Sequence, residues 1–200
     1  MGVESNRWKV TSEPVDYPVT LAEAKDYLRV EHSEEDDIIT ECIRSAVDYC
    51  EQELDLAIMD QEITVKLDAF PSSSVIKLPR TNLLSVTEFT YNDSNGDSQT
   101  FTGYTADTFS TPGRVVRNDL AWPQTQARAN SVTIVYRAGF KEYETGGASF
   151  VPGAVRQAMM MLITHWYDNR AAIVIGSGIV SEELQLAVTQ LLSKYRVLGV

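Results

Sequence analysis

Apolar residues recur at every third or fourth position from Ile38 onward, at Ile39, Cys42, Ile43, Ala46, Val47, Cys50 and Leu54. That spacing lays one apolar stripe along a helix and predicts an amphipathic α-helix running to about Leu56. Ser33 is its expected N-cap, with Glu34, Glu35, Asp36 and Asp37 in the first turn, where negative charge suits the helix dipole. A shorter helix precedes it. Thr20 opens that helix three residues before Glu23, which is capping-box spacing, and Leu21, Ala24, Tyr27 and Leu28 form its stripe. The helical period returns at Val155, Ala158, Met159, Leu162, Ile163, Trp166 and Tyr167, behind Pro152, a favoured first-turn residue. A glycine-bearing break over residues 173–180 ends it. Ser181 then caps a last helix, with Glu182 and Glu183 in the first turn and Leu184, Ala187, Val188, Leu191, Leu192 and Tyr195 as its stripe.

Between the helix pairs the period falls to two. Ile63, Val65 and Leu67 alternate with polar residues, as in a half-buried strand. Further short strands are expected at Val75–Leu78, Ser85–Tyr91, Ser98–Tyr104, Arg114–Arg117 and Ser131–Arg137. Asn95-Gly96 predicts a type I′ hairpin between two of them. The expected fold class is α+β: a four-helix bundle, built of two N-terminal and two C-terminal helices, with an inserted small antiparallel β subdomain. Residues 1–19, broken by Pro14 and Pro18, form an extended, mobile N-terminal arm. Residues 20–60 and 150–196 form the helical domain, 61–149 the β subdomain and 197–200 a C-terminal tail.

Composition then narrows the function. A chain of 200 residues with 44% hydrophobic and 22% charged side chains is globular and needs no disulfide or metal staple. Its formal net charge is −11, and residues 1–60 carry all of the excess, with five basic against sixteen acidic side chains. That balance argues against a protein that grips nucleic-acid phosphates or docks on an anionic membrane. The acidic third is either a solvated, solubilising face or a surface that must repel something negative. The N-terminus lacks the pattern of a signal peptide, and no apolar run is long enough to span a membrane. Cys42 and Cys50 stand eight residues apart on a helix, about 12 Å, beyond disulfide reach. They read as small buried groups of a protein folded in a reducing cytoplasm.

Catalytic patterns find no support. Asp93-Ser94-Asn95-Gly96-Asp97 has its glycine fourth and Tyr104 twelfth, so it is a hairpin and not a calcium loop. Gly176-Ser177-Gly178 lacks the lysine and preceding strand of a phosphate loop and reads as a hinge. His32 suits a surface or capping role, and His165 has no second ligand at metal-pair spacing. The carboxylates of the second helix are solvated first-turn residues with no nucleophile motif nearby. No catalytic residue, metal ligand or cofactor is expected.

Several segments together resemble a known family. Val19-Thr20-Leu21-Ala22-Glu23-Ala24-Lys25, Tyr27-Leu28-Arg29-Val30 and Glu35-Asp36-Asp37 before an amphipathic helix are similar to the start of tailed-phage head–tail connector proteins, also called neck adaptors or head-completion proteins. Leu78-Pro79-Arg80, Trp122-Pro123, Tyr136-Arg137-Ala138-Gly139-Phe140 and Val151-Pro152 resemble the subgroup with a long β insertion. His165-Trp166-Tyr167-Asp168-Asn169-Arg170 and Leu191-Leu192-Ser193-Lys194-Tyr195-Arg196 resemble its helix ending and C-terminal signature. The order and spacing of these pieces, over about residues 19–196, carry the resemblance.

The resemblance implies assembly and not catalysis. Members form a homo-oligomeric ring, usually of twelve copies, beneath the portal. The ring extends the DNA channel and presents a surface to the next neck component, a stopper or tail-completion protein. Carried over to this chain, Leu191, Leu192, Tyr195, Arg196, Val197, Leu198 and Val200 are candidates for portal binding. Trp166, Tyr167 and Arg170 are candidates for the subunit interface, the alternative for the aromatics being the monomer core. Glu34, Glu35, Asp36, Asp37 and Glu41 are candidates for the channel wall, where acidity lets double-stranded DNA pass without specific binding; alternatively they face outward or pair with a neighbour's basic edge. The apolar end Val197-Leu198-Gly199-Val200 is either a disordered terminus or a docking peptide. A stopper or tail-completion neck protein is the alternative function, and four helices argue against the β-rich stopper. A hydrolase on a helical scaffold is a third class, for which no constellation is displayed.

Overall fold

Thr20 and Glu23 close a reciprocal capping box at the start of helix α1 (Leu21–Leu28): the Thr20 hydroxyl accepts from the Glu23 N–H at 3.2 Å, and the Glu23 carboxylate accepts from the Thr20 N–H at 2.9 Å. A computed structural model describes this helix within residues 8–12, 14, 16–80, 82–118, 121–140, 151–169 and 181–197. The break at 173–180, Arg170, Leu198 and Val200 lie outside the described residues. The chain divides into two compact units, one of Val15–Met59 and Glu142–Arg196, the other of Met1–Pro14, Asp60–Lys141 and Val197–Val200. The fold is α+β, with four helices in the first unit and antiparallel sheets in the second, among the described residues.

In the helical unit, α1 ends where Arg29 takes the left-handed conformation, φ 59°. Helix α2 (Asp36–Leu54) follows and does not use Ser33 as its cap. Ser33 starts a turn whose carbonyl accepts from the Asp36 N–H at 3.3 Å, and Glu35 holds the N-cap position without a side-chain bond to the helix. The first turn is anchored from other elements: the Tyr167 hydroxyl donates to the Glu35 carboxylate, and the Lys25 ammonium meets Asp36 at 2.5 Å. Asp55, at φ 53°, ends α2 one to two residues before the expected Leu56. Helix α3 (Gly153–Asp168) takes Pro152 as N-cap, and Ser181 caps α4 (Glu182–Leu192) by accepting from the Leu184 N–H at 3.4 Å.

Helix α2 packs on α3, α4 packs on α3 and α2, and α1 touches α2 and α3. Their buried stripes are Ile39, Cys42, Ile43, Ala46, Val47, Cys50 and Leu54 on α2, and Val155, Ala158, Met159, Leu162, Ile163 and Trp166 on α3. Each buried Ile, Leu or Val contributes roughly 1.5–3 kcal/mol relative to exposure. The partly exposed ion pairs contribute about 0–1 kcal/mol each, so the stripes hold the unit and the pairs orient it.

The second unit is larger than the small insertion that the period-two segments predict. Its five-stranded sheet runs β1-β2-β8-β4-β5 and its three-stranded sheet β3-β7-β6, every neighbouring pair antiparallel. The strands are β1 (Trp8–Ser12), β2 (Gln61–Leu67), β3 (Val75–Lys77), β4 (Leu83–Asn92), β5 (Ser98–Thr100), β6 (Tyr104–Asp107), β7 (Arg114–Arg117) and β8 (Val132–Ala138). The first sheet reaches into the N-terminal arm, where Trp8 pairs with Val65 and Val10 with Ile63. Apart from half-buried Trp8 the residues of this edge strand are exposed, so they carry no alternation to read. The run expected as one strand from Ser98 to Tyr104 divides in two. Phe101 turns inward, donates its N–H to the Phe89 carbonyl at 2.8 Å, and leaves β5 and β6 in different sheets.

Strands β2 and β8 form the middle of the core. Ile63 stands opposite Tyr136 and Val65 opposite Ile134, all four fully buried. The buried Tyr136 hydroxyl donates to the Pro79 carbonyl at 2.5 Å, which satisfies that buried polar atom. Phe70, Phe89, Tyr91, Phe101, Tyr104 and Trp122 pack as an aromatic cluster, with the Phe70 and Trp122 rings stacked at 4.9 Å. Trp122 donates its indole N–H to the Ser73 carbonyl at 2.7 Å. The β4–β5 hairpin turns at Asn95-Gly96, but not as type I′, which needs positive φ at both residues. Only Gly96 of the two has it, at 94°, and the Gly96 N–H donates to the Asp93 carbonyl at 3.0 Å. This is a type I turn with glycine in the left-handed position. The Asp93 carboxylate, accepting from the N–H groups of Asn95 (2.9 Å) and Asp97 (3.1 Å), stabilises it.

Candidate functional site

The acidic candidates sit at the start of α2. Helix α1 and helix α3 flank them with donors, and the sequence spacing alone gives no hint of that. Asp36 is bound to Lys25 and Glu35 to Tyr167. Glu41 accepts from Arg44 at 2.9 Å, and the Arg44 Nε donates to the Tyr17 hydroxyl at 2.9 Å. Glu34 is 80% exposed with its carboxylate 3.0 Å from His32 Nδ1, and Asp37 is exposed. Four of the five carboxylates therefore have a partner inside one chain, and Glu34, with only the exposed His32, and exposed Asp37 present the freest negative charge. Further along, Glu23 holds its cap and meets Arg156 of α3 at 2.6 Å. The Thr20 backbone N–H, and beyond it Arg156, keep the Glu23 carboxyl below its usual range against the opposing effect of burial.

The aromatic candidates of α3 are turned to their own chain. Trp166 is buried and meets the Tyr49 ring edge-on, centroids 6.3 Å apart. Tyr167 is half-buried and spans to Glu35. Arg170 lies outside the described residues. His165 is half-buried on the same helix, and its carbonyl accepts from Asn169.

Among the C-terminal candidates, Leu192 is a core residue, while Leu191, Tyr195 and Val197 are half-buried and Arg196 is exposed. The Tyr195 N–H donates to the Leu192 carbonyl at 2.9 Å, and the Lys194 ammonium lies 5.9 Å from the Tyr195 ring centre. Only Val188 and Leu192 of the α4 stripe are buried. Leu186, outside the stripe, is 63% exposed.

The buried thiols offer no chemistry. Burial raises Cys42, and it pushes Cys50 up to about 12, so neither is a nucleophile at neutral pH. The sequence reading passed over Phe109, which stands 99% exposed on the β6–β7 connection. A lone aromatic among turn-forming residues, Asp107-Thr108-Phe109-Ser110-Thr111-Pro112, was the available signal.

A family model described as "Head completion protein" matches residues 19–196. Among solved structures, the chain is similar to one in "Neck of empty GTA particle computed with C6 symmetry", with TM-score 0.78 and 20% identity over 96% of each chain. It is likewise similar to a chain of "Virion of native gene transfer agent (GTA) particle", with TM-score 0.77, 20% identity and the same coverage. A third, in "Neck of native GTA particle computed with C12 symmetry", gives TM-score 0.73 at 20% identity, again over 96% of each chain. No curated protein matches the chain. At this identity the structural likeness establishes a shared fold.

Proposed function

The chain belongs to the head completion protein family, and from that premise we propose that it is a structural protein of the virion neck, a head–tail adaptor that forms a ring below the portal. The ring extends the DNA channel and offers its far side to a stopper or tail-completion protein. The match over residues 19–196 carries the reading, because it takes in the four described helices and strands β2 to β8 together. The fold shared with neck chains of gene-transfer-agent particles supports it. One of those necks was computed with twelvefold symmetry, the copy number proposed for this ring.

In this reading the four helices form the bundle that builds the ring wall. The start of α2 faces the lumen. Its negative charge repels DNA phosphates that a cationic wall would hold, so DNA slides past without specific binding. Glu34 and Asp37 contribute most, while Glu35, Asp36 and Glu41 also hold the helix in place through Tyr167, Lys25 and Arg44. The segment after Leu192 reaches the portal, with Tyr195, Arg196 and Val197 as its first contacts. The role needs no catalysis and no cofactor.

Electron microscopy of the purified chain, alone and mixed with its portal, tests this directly. Rings seated on the portal are the expected result. A chain that stays monomeric beside the portal and joins only a completed neck would overturn the adaptor reading and favour a stopper.

A further inference from the structure

Phe109 is held up by its neighbours and touched by none of them. The Asp107 carboxylate organises the β6–β7 connection. It accepts from the N–H groups of Phe109 (3.1 Å) and Ser110 (3.2 Å), from the Ser110 hydroxyl (2.7 Å) and from Arg114 Nε (2.8 Å). Four bonds to one carboxylate make the turn a fixed mount, and the ring on it is 99% exposed. A rigid aromatic standing in water is the chemistry of an interface anchor. It brings large apolar area and loses little side-chain freedom on docking.

The same strand carries a matching hollow at its other end. Tyr104, the first residue of β6, joins Phe89 and Phe101 as the floor of an open cleft of about 410 Å³. The Phe89 ring lies 5.1 Å from both Phe101 and Tyr104, and with Phe89 and Phe101 buried, the half-buried Tyr104 ring is the main aromatic surface of the floor. Thr87, Glu88 and Thr102 stand at the rim. Strand β6 puts about 10 Å between its two ends, and the exposure of Phe109 means that a chain's own ring does not fill its own cleft. Arg114 flanks the knob, but Asp107 is paired with it, so the knob carries no net charge towards the exposed Glu88 that lines the cleft.

A knob and a hole on different surfaces of one molecule make a heterologous, head-to-tail contact, which closes into a ring when the rotation per copy allows. We propose that Phe109 of one copy seats in the Phe89–Phe101–Tyr104 cleft of the next, and that this is a lateral bond of the ring. The proposal rests on the ring reading above and names the surfaces that make it.

The experiment uses the full chain under conditions where the wild type forms rings, alone or on the portal, with assembly followed by sedimentation and electron microscopy. Phe109→Glu is expected to lower the association constant by about tenfold or more with an unchanged melting curve. Thr102→Trp, which fills the cleft, is expected to do the same. Mixed in equal amounts, the two variants should stop at dimers, because each supplies one working half. A Phe109→Cys/Thr102→Cys chain should oxidise to a ladder of covalent oligomers, while buried Cys42 and Cys50 stay silent. If Phe109→Glu rings form like wild type, or no ladder appears while wild-type rings are present, the lateral contact is overturned and the adaptor reading stands. Loss of binding to the next neck component with rings intact would assign the knob to another protein and overturn the proposal equally. A wild type that never forms rings would overturn both.

Discussion

Arg156, in the first turns of α3, meets Glu23 of α1 at 2.6 Å, and the same carboxylate closes the Thr20 cap with its other oxygen. One side chain thus caps the start of a helix and ties it to a partner 133 residues away in sequence. Glu23→Ala removes both interactions and should cost about 1–2 kcal/mol, most of it the cap. Arg156→Ala removes a partly exposed pair and should cost at most about 1 kcal/mol. The pH dependence has a definite sign. The folded-state pKa of Glu23 lies below its ordinary 4.5, so its contribution is complete above that value and is lost as the pH falls through the folded pKa. Urea melts from pH 7 down to pH 3 should therefore show a smaller acid loss for Glu23→Gln than for wild type.

Gly113 leaves no room for a side chain. A Cβ there would lie 2.5 Å from the Leu83 Cβ, while the Gly113 carbonyl accepts from the Leu78 N–H at 3.0 Å. Backbone and β4 must move apart to admit a methyl group. Gly113→Ala should destabilise by roughly 1–3 kcal/mol, read as a lower denaturant midpoint at unchanged slope. Leu83→Ala keeps the clashing Cβ and should not rescue Gly113→Ala, whereas Leu83→Gly, which removes it, should recover part of that loss despite creating its own cavity.

What the residues disclosed follows the range of the forces involved. Thr20 with Glu23, the α2 and α3 stripes, and the strand Arg114–Arg117 are local patterns, and the chain adopts them as the spacing predicts. Ser33 is not the cap because its carbonyl closes a turn with the Asp36 N–H ahead of the helix, and the start of α2 is held instead by Lys25 of α1 and by Tyr167, distant in sequence on α3. Strand β1 escaped notice because an edge strand with exposed side chains has no alternation, and its cause is the pairing edge that β2 offers. The site was legible only as composition. Helical spacing puts Trp166 on an apolar stripe, but it does not say whether the stripe meets its own core or a neighbour, and Trp166 meets its own Tyr49.

Cys42 and Cys50 predict a chemical silence. Burial raises both thiols, Cys50 to about 12, so the thiolate is scarce below that pH. A disulfide reagent at pH 8 should label neither in the folded protein and both in denaturant. Labelling of native protein at the rate of free cysteine would show that α2 opens from α3.

The lumen assignment calls for a narrower charge reversal than the whole acidic run. Replacing Glu35 or Asp36 with lysine would break the contacts to Tyr167 and Lys25 and confound folding with function. Glu34→Lys/Asp37→Lys changes exposed charge and removes only the exposed Glu34–His32 contact, and should shift stability by less than about 1 kcal/mol. A ring of such chains gains four units of positive charge per copy relative to wild type. DNA ejection should slow, most strongly at low salt, where phosphate–lysine attraction is least screened. Ejection at the wild-type rate would place the start of α2 away from the channel.

The portal assignment likewise needs a cut that spares the core. Leu192 is 2% exposed within the helical unit, so a deletion from residue 191 onward removes a buried leucine along with any docking segment. Losing that packing alone would cost about 2–5 kcal/mol, and failed attachment would then have two explanations. A deletion of residues 194–200 keeps Leu192 and the whole of α4. It removes Tyr195, Arg196 and the apolar end, and should leave the melting temperature within a few degrees of wild type. Attachment to the portal should be lost, measured by co-sedimentation of the chain with assembled portal. The opposite substitution, Leu192→Ala in the full chain, should lower stability while attachment persists below the melting transition. If the shortened chain still sediments with the portal, the contact lies on another surface, and α4, with Leu186 63% exposed, is the next to test.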